Sequence, residues 1–153
     1  MNADVGRREA LALGASGLLG ALATPAAASE PDDLRKTSAA YLAAWAAKDL
    51  DAISRHVHPE VRFTGPMAQF EGRDAFLQSS RRIFTLLETF EVRSAFVEGE
   101  RGMFAYDFVC REPIGRCRTA ELVGFKGGLI REIELLYDAR PFEAALRAAG
   151  AGK

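Results

Sequence analysis

Histidine and cysteine are scarce in this chain. Only His56, His58, Cys110 and Cys117 represent them among 153 residues, which argues against a cysteine-rich metal cluster and leaves few ligands for any transition metal. A positive surplus is also missing: 20 Lys and Arg stand against 21 Asp and Glu, a formal net charge of −1. With so little to neutralise phosphates, nucleic acid and an anionic membrane surface are poor partners. No internal repeat is present, and the length suits one core rather than two. The partner classes left are a small molecule or a protein, and no cofactor or metal is expected.

The first thirty residues read as an address. Arg7-Arg8 precede a stretch from Ala10 to Ala28 without a charge, and Ala26-Ala27-Ala28 offers the small-x-small pattern cleaved by signal peptidase before Ser29. The run Gly6-Arg7-Arg8-Glu9-Ala10-Leu11-Ala12 is similar to a twin-arginine signal, although it lacks the usual aromatic residue and trailing lysine. The alternative is a membrane anchor, but the stretch is mostly Ala and Gly with Pro25 inside it. The expectation is a signal peptide at 1–28, a domain at 29–149 and a tail at 150–153. The mature protein would then be periplasmic or secreted and free of the membrane.

In the mature part, helical periodicity comes first. Ser29 can cap a helix opening with Pro31 and Asp32-Asp33, with Leu34, Ser38, Tyr41, Leu42 and Trp45 on one face. Asp49 can cap a second, Leu50 to about Arg55, which ends at the turn around His58-Pro59. Val61-Arg62-Phe63 alternates as a strand up to Gly65-Pro66, and Phe76, Leu77, Ser80, Ile83, Phe84 and Leu87 trace a third helical stripe. From Phe90 the period becomes two. Strands are predicted at Phe90 to Val97, Met103 to Cys110, Cys117 to Phe125 and Ile130 to Tyr137, then a short helix from Phe142 to Ala149. Three helices followed by an antiparallel meander is an α+β arrangement, with the helices laid on one face of the sheet.

The runs Tyr41-Leu42-Ala43-Ala44-Trp45-Ala46-Ala47-Lys48-Asp49-Leu50-Asp51, Phe63-Thr64-Gly65-Pro66, Phe70-Glu71-Gly72-Arg73-Asp74-Ala75-Phe76 and Phe125-Lys126-Gly127-Gly128-Leu129-Ile130-Arg131-Glu132-Ile133 resemble the nuclear transport factor 2-like superfamily. The closer likeness is to its SnoaL-like and ketosteroid isomerase-related members. The resemblance covers about residues 32 to 142 and implies a cone: a curved antiparallel sheet and three helices enclosing a pocket. The superfamily includes isomerases, cyclases, dehydratases and proteins that only bind, so the fold leaves function open. By the same resemblance, Tyr41 stands where a ketosteroid isomerase has its oxyanion-hole tyrosine, and Glu121 stands near its protonated acid. The proton-accepting aspartate does not carry over, because Gly65 occupies its place. Asp138 ends the last strand in a pattern that non-catalytic relatives share.

Tyr41 can equally be a core tyrosine with a backbone partner. Glu121 lies between Thr119 and Val123 on a strand face that also carries Phe125, and acids on buried faces are rare unless paired or functional. A register that sets Cys110 opposite Cys117 would put Phe108 opposite Thr119 and Tyr106 opposite Glu121. It would also let the two cysteines form a disulfide after export, the competing reading being two free thiols packed as small hydrophobes. Tyr41 and Glu121 are the candidate catalytic pair. Trp45, Phe63, Met67 and Phe84, with Tyr106, Phe108, Phe125 and Tyr137 from the strands, are the candidate ligand-binding side chains.

His56-x-His58 has no third ligand at a recognisable spacing, and the pairs Arg81-Arg82 and Arg116/Arg118 read as solvated faces. Three functions fit: a non-catalytic binding protein for a small, largely apolar molecule, an acid-base enzyme of isomerase, dehydratase or cyclase type using Tyr41 and Glu121, and an interaction module whose sheet face pairs with a second copy as a homodimer. The missing base favours binding.

Overall fold

A computed structural model describes residues 31–151. The predicted leader and the Ser29 cap lie outside the described residues. The predicted elements are present, with one short strand added.

Helix α1 (Pro31–Ala46) buries the stripe expected of it, Leu34, Ser38, Tyr41, Leu42 and Trp45. Lys48 turns the chain with a left-handed φ of 55°, and Asp49 accepts the Ala52 N–H at 2.9 Å to cap α2 (Leu50–His56). Strand β1 (Val57–Gly65) is longer than the alternating run suggested, and an unpredicted short strand β2 (Ala68–Glu71) folds back on it. Helix α3 (Arg73–Leu86) turns Phe76 and Ser80 inward and Arg81-Arg82 outward, and Leu87, expected on this helix, instead opens the next strand.

The four long strands then run as predicted, each extended by one to four residues: β3 (Leu87–Glu98), β4 (Arg101–Cys110), β5 (Arg116–Lys126) and β6 (Leu129–Tyr137). Their order in the six-stranded sheet is β2-β1-β6-β5-β4-β3. The sheet is not wholly antiparallel, because β1 pairs parallel with β6. That pairing returns the early strand to the far side of the meander and wraps the sheet around the helices. Register shifts at Leu87/Thr89 and Val92/Ser94 in β3, at Val57/Arg62 in β1 and at Gly124/Phe125 in β5 supply the bends, since an extra residue in one strand increases local twist and curvature. The C-terminal helix α4 (Arg140–Ala151) is longer than expected and takes in Gly150.

Alternation assigns the inner face. Phe104, Tyr106, Phe108 and Cys110 on β4, and Cys117, Thr119, Glu121 and Val123 on β5, are all buried. The β4–β5 register corrects the expected one by two residues: Phe108 pairs with Cys117, Tyr106 with Thr119 and Phe104 with Glu121. The tighter connection is the reason, for Cys110 donates its N–H to the Gly115 carbonyl, so the ladder closes with Gly115 and not Cys117 opposite it. The cysteines therefore do not oppose one another and no disulfide forms. Both are free and buried, as small hydrophobes often are.

Arg116 and Arg118 are exposed, as expected, and also surround the buried carboxylate of Asp107 on the outer face. Arg116 lies 2.8 Å and Arg93 3.4 Å from its Oδ2, Arg118 lies 3.6 Å from its Oδ1, and Arg116 also reaches Glu91 at 2.5 Å. Unreduced, denatured protein should titrate two thiols per chain, and a count of zero would restore a bridged hairpin.

Candidate functional site

The site begins with one acid in the wrong kind of place. Glu121, at the centre of β5, is 2% exposed, and burial disfavours its charged form. Two hydroxyls answer it from two elements. Tyr41, on the buried face of α1, donates to Glu121 Oε1 at 3.0 Å, and Tyr106, on β4, donates to Oε2 at 2.7 Å. Tyr106 reaches the acid although it is not directly opposite, because residues two apart on one strand face are diagonal neighbours across the ladder. A two-residue register shift preserves the face, so the expected Tyr106–Glu121 bond survives the corrected register.

Burial pushes the Glu121 carboxyl up to about 7, and the two tyrosine hydrogen bonds hold it from going higher. Both tyrosines move well above their ordinary value, first through burial and then through the nearby carboxylate. The phenols therefore stay protonated, and the proton that can come or go near neutrality belongs to Glu121.

This triad forms part of the wall of a cavity of about 390 Å³ between the sheet, α1, α3 and α4. The rest of the lining is mostly apolar. Of the candidate ligand-binding residues, Trp45, Phe63, Met67, Tyr106, Phe108 and Tyr137 line it. Phe84 and Phe125 do not. Phe84 lies edge-on against Trp45 with ring centroids 5.1 Å apart, outside the lining, and Phe125 follows the β5 bulge, where its N–H bonds Glu100 at the far end of the sheet.

Sequence reasoning missed several lining residues. Phe76, Ser80 and Ile83 were legible on the α3 stripe and could have been nominated from it. Leu135 on β6 and Phe142, Ala145 and Leu146 on α4 also line the cavity, and nothing in their local pattern announces which cavity they close.

The position where the resemblance implied a proton acceptor is apolar in its surroundings. A Cβ on Gly65 would lie 3.2 Å from the Phe63 ring and 3.7 Å from Leu135 Cβ, two residues that line the cavity, so the glycine leaves that wall without an acid. Asp138 is held by Arg140 at 2.6 Å, and those hydrogen bonds lower its pKa to about 2. His58 Nδ1 accepts the Glu60 N–H at 3.1 Å, and neither His56 nor His58 lines the cavity.

Residues 39–133 match the family profile described as the SnoaL-like domain. Among solved structures, a protein from Kribbella flavida DSM 17836 is 28% identical at a TM-score of 0.69, over 76% of this chain and 95% of its own. An NTF2-like protein of unknown function from Cytophaga hutchinsonii ATCC 33406 is 19% identical at a TM-score of 0.63, over 71% and 93%. A de novo designed protein with a curved beta-sheet is 18% identical at a TM-score of 0.67, over 80% and 99%. The last two likenesses concern the fold alone. No curated protein matches the chain in sequence.

The raised Glu121 pKa has a definite consequence for stability. Between about pH 4.5 and 7 the folded state keeps a proton that the unfolded chain releases, so stability falls as pH rises through that window. The shift from 4.5 to about 7 corresponds to about 3 kcal/mol. Urea denaturation of the parent and of Glu121→Gln at pH 5 and pH 8 should show the parent losing most of that amount relative to the variant. Parallel pH profiles would mean that Glu121 ionises as an ordinary acid.

Proposed function

The chain belongs to the SnoaL-like domain family, and on that premise we propose that it binds one small, largely apolar molecule in the cavity beside Glu121. Either it binds without chemistry, or it carries out an acid-base step that differs from that of the ketosteroid isomerases. The observation that carries this reading is the buried Glu121 carboxyl, clamped by Tyr41 and Tyr106 at the wall of an aromatic cavity. A carboxyl in such a place is costly to keep unless it is used. The cavity volume is in the range of small-molecule sites.

Binding is the better supported of the two modes, because Gly65 removes the family's base and the cavity lining offers no second acid beside Glu121. Export by the twin-arginine-like leader belongs to the same proposal, with the mature chain acting in the periplasm or outside the cell.

Native mass spectrometry of the protein purified from its own host tests these points together. The expected species begins at Ser29 and carries one apolar molecule per chain. Recovery of that molecule unchanged supports binding, and recovery of a chemically altered one supports catalysis. A full-length chain in the membrane fraction would overturn export. A chain that carries nothing and takes up no neutral apolar dye would overturn the cavity reading.

A second reading, pairing with another copy, is favoured by the outer face of the sheet. Phe96 (61% exposed), Met103 and Leu122 stand in register on three adjacent strands, β3, β4 and β5, and on β6 Glu134 stands opposite Leu122 with Leu136 on the diagonal. Exposed apolar side chains gathered on one face mark interaction surfaces more often than scattered ones do. Analytical ultracentrifugation should give a dimer for the parent and a folded monomer for Leu122→Arg. A monomeric parent at high micromolar concentration would remove this reading.

A further inference from the structure

Two charged side chains line the cavity beside Glu121. One is Glu121 itself, which is buried, and the other is Arg82, which is exposed. The cavity meets water where its lining is exposed, at Met67, Leu86 and Leu146, the last of them 63% accessible. Arg82 precedes Leu86 by four residues on α3, so the two share one helix face at that opening. The Leu86 carbonyl also accepts the Arg111 N–H at 2.9 Å, which brings a second arginine to the same rim next to Ile114 of the lining. Arg140 and Arg147 on α4 are paired with Asp138 and Glu143. Arg82 and Arg111 have no carboxylate partner among the described residues, and the acids near them in sequence, Glu88 and Glu112, pair with neither.

The buried end is closed to an anion. Each tyrosine hydroxyl has a single hydrogen to donate, and those of Tyr41 and Tyr106 are both given to Glu121. The Ser80 hydroxyl gives its own to the Phe76 carbonyl at 2.9 Å. Above pH of about 7, to which burial raises Glu121, a ligand anion at that end would face a carboxylate of its own sign. The wall in between is mostly aromatic and aliphatic, so the cavity is apolar within and cationic at its rim.

We propose that the ligand of this cavity is an amphipathic carboxylate, with its hydrocarbon inside and its head group paired with Arg82 at the rim. The inference rests on the cavity-binding reading above and narrows it from apolar molecules to apolar acids. The planar guanidinium can meet a carboxylate through two parallel hydrogen bonds. A neutral head group leaves Arg82 hydrated as before, and an ammonium must hold its charge beside a cation. Because Arg82 is exposed, the pairing is worth that of a surface ion pair, about two- to fivefold in affinity. Burial of the hydrocarbon supplies most of the binding, and Arg82 sorts ligands by the sign of the head group.

Decanoate, decan-1-ol and decylammonium share one chain and differ in the head group. Their affinities for the protein are measured by titration calorimetry at pH 8 and low ionic strength, with decanol as the uncharged reference. Relative to decanol, decanoate should lose about two- to fivefold in Arg82→Gln. Arg82→Glu reverses the charge at the rim, so the ratio of decanoate to decylammonium affinity should fall by about tenfold or more between the parent and that variant. The parent's ratio should also shrink in about 1 M salt, which screens exposed charges. Arg82→Gln decides the matter if the charge reversal impairs folding. A decanoate-to-decanol ratio that is the same in the parent and Arg82→Gln overturns the rim pairing and leaves the cavity reading standing. Failure of all three probes to bind overturns both.

Discussion

Much of this molecule is organised by the cost of burying one carboxyl. Glu121 sits at the middle of β5, and its two hydrogen-bond donors come from elements distant in sequence, α1 and β4. An isolated carboxyl in hydrocarbon would be strongly unfavourable, and removing either hydroxyl would return part of that penalty. The triad therefore ties the first helix to the centre of the sheet at one azimuth. A rotation of α1 by one residue would carry Tyr41 off the stripe it shares with Leu34, Leu42 and Trp45, and the apolar and polar requirements on that helix would no longer be met together.

The cavity follows from curvature. An antiparallel meander without irregularities would leave a shallow, open sheet. Here bulges in β3 and β5, an irregularity in β1 and the parallel return of β1 to β6 bend the layer until α3 and α4 can close over it. The same geometry divides the strands chemically. One face carries the aromatic lining and the acid. The other carries Phe96, Met103 and Leu122 beside the Asp107 cluster, in which three arginines neutralise a second buried carboxylate. The two buried acids thus have opposite settings. Asp107 is surrounded by cations and its pKa is lowered, whereas Glu121 has only neutral donors and its pKa is raised. Of the two, Glu121 is therefore the acid able to change its charge near neutrality.

Local pattern determined a good deal of this. The spacing Leu34, Ser38, Tyr41, Leu42, Trp45 put the tyrosine inward, the change from helical to alternating period near Phe90 gave the α+β class, and the parity of Thr119, Glu121 and Val123 set the acid on the buried face. Those properties depend only on 3.6- and 2-residue periodicities and on the reluctance of apolar groups to meet water. They are robust to errors of register by two, which is why the Tyr106–Glu121 bond was legible even though Cys110 and Cys117 were placed opposite one another wrongly.

What tertiary structure alone decided is whatever depends on distance between elements. Which strand lies beside β1, where the ladder ends at Cys110, and that Phe84 and Phe125 lie outside the cavity lining while Phe142 and Leu146 belong to it are consequences of bulges and long-range pairing. Hydrophobic pattern tells a side chain to leave water without saying which wall it will face, and that choice is made only when the sheet has bent and the helices have closed upon it.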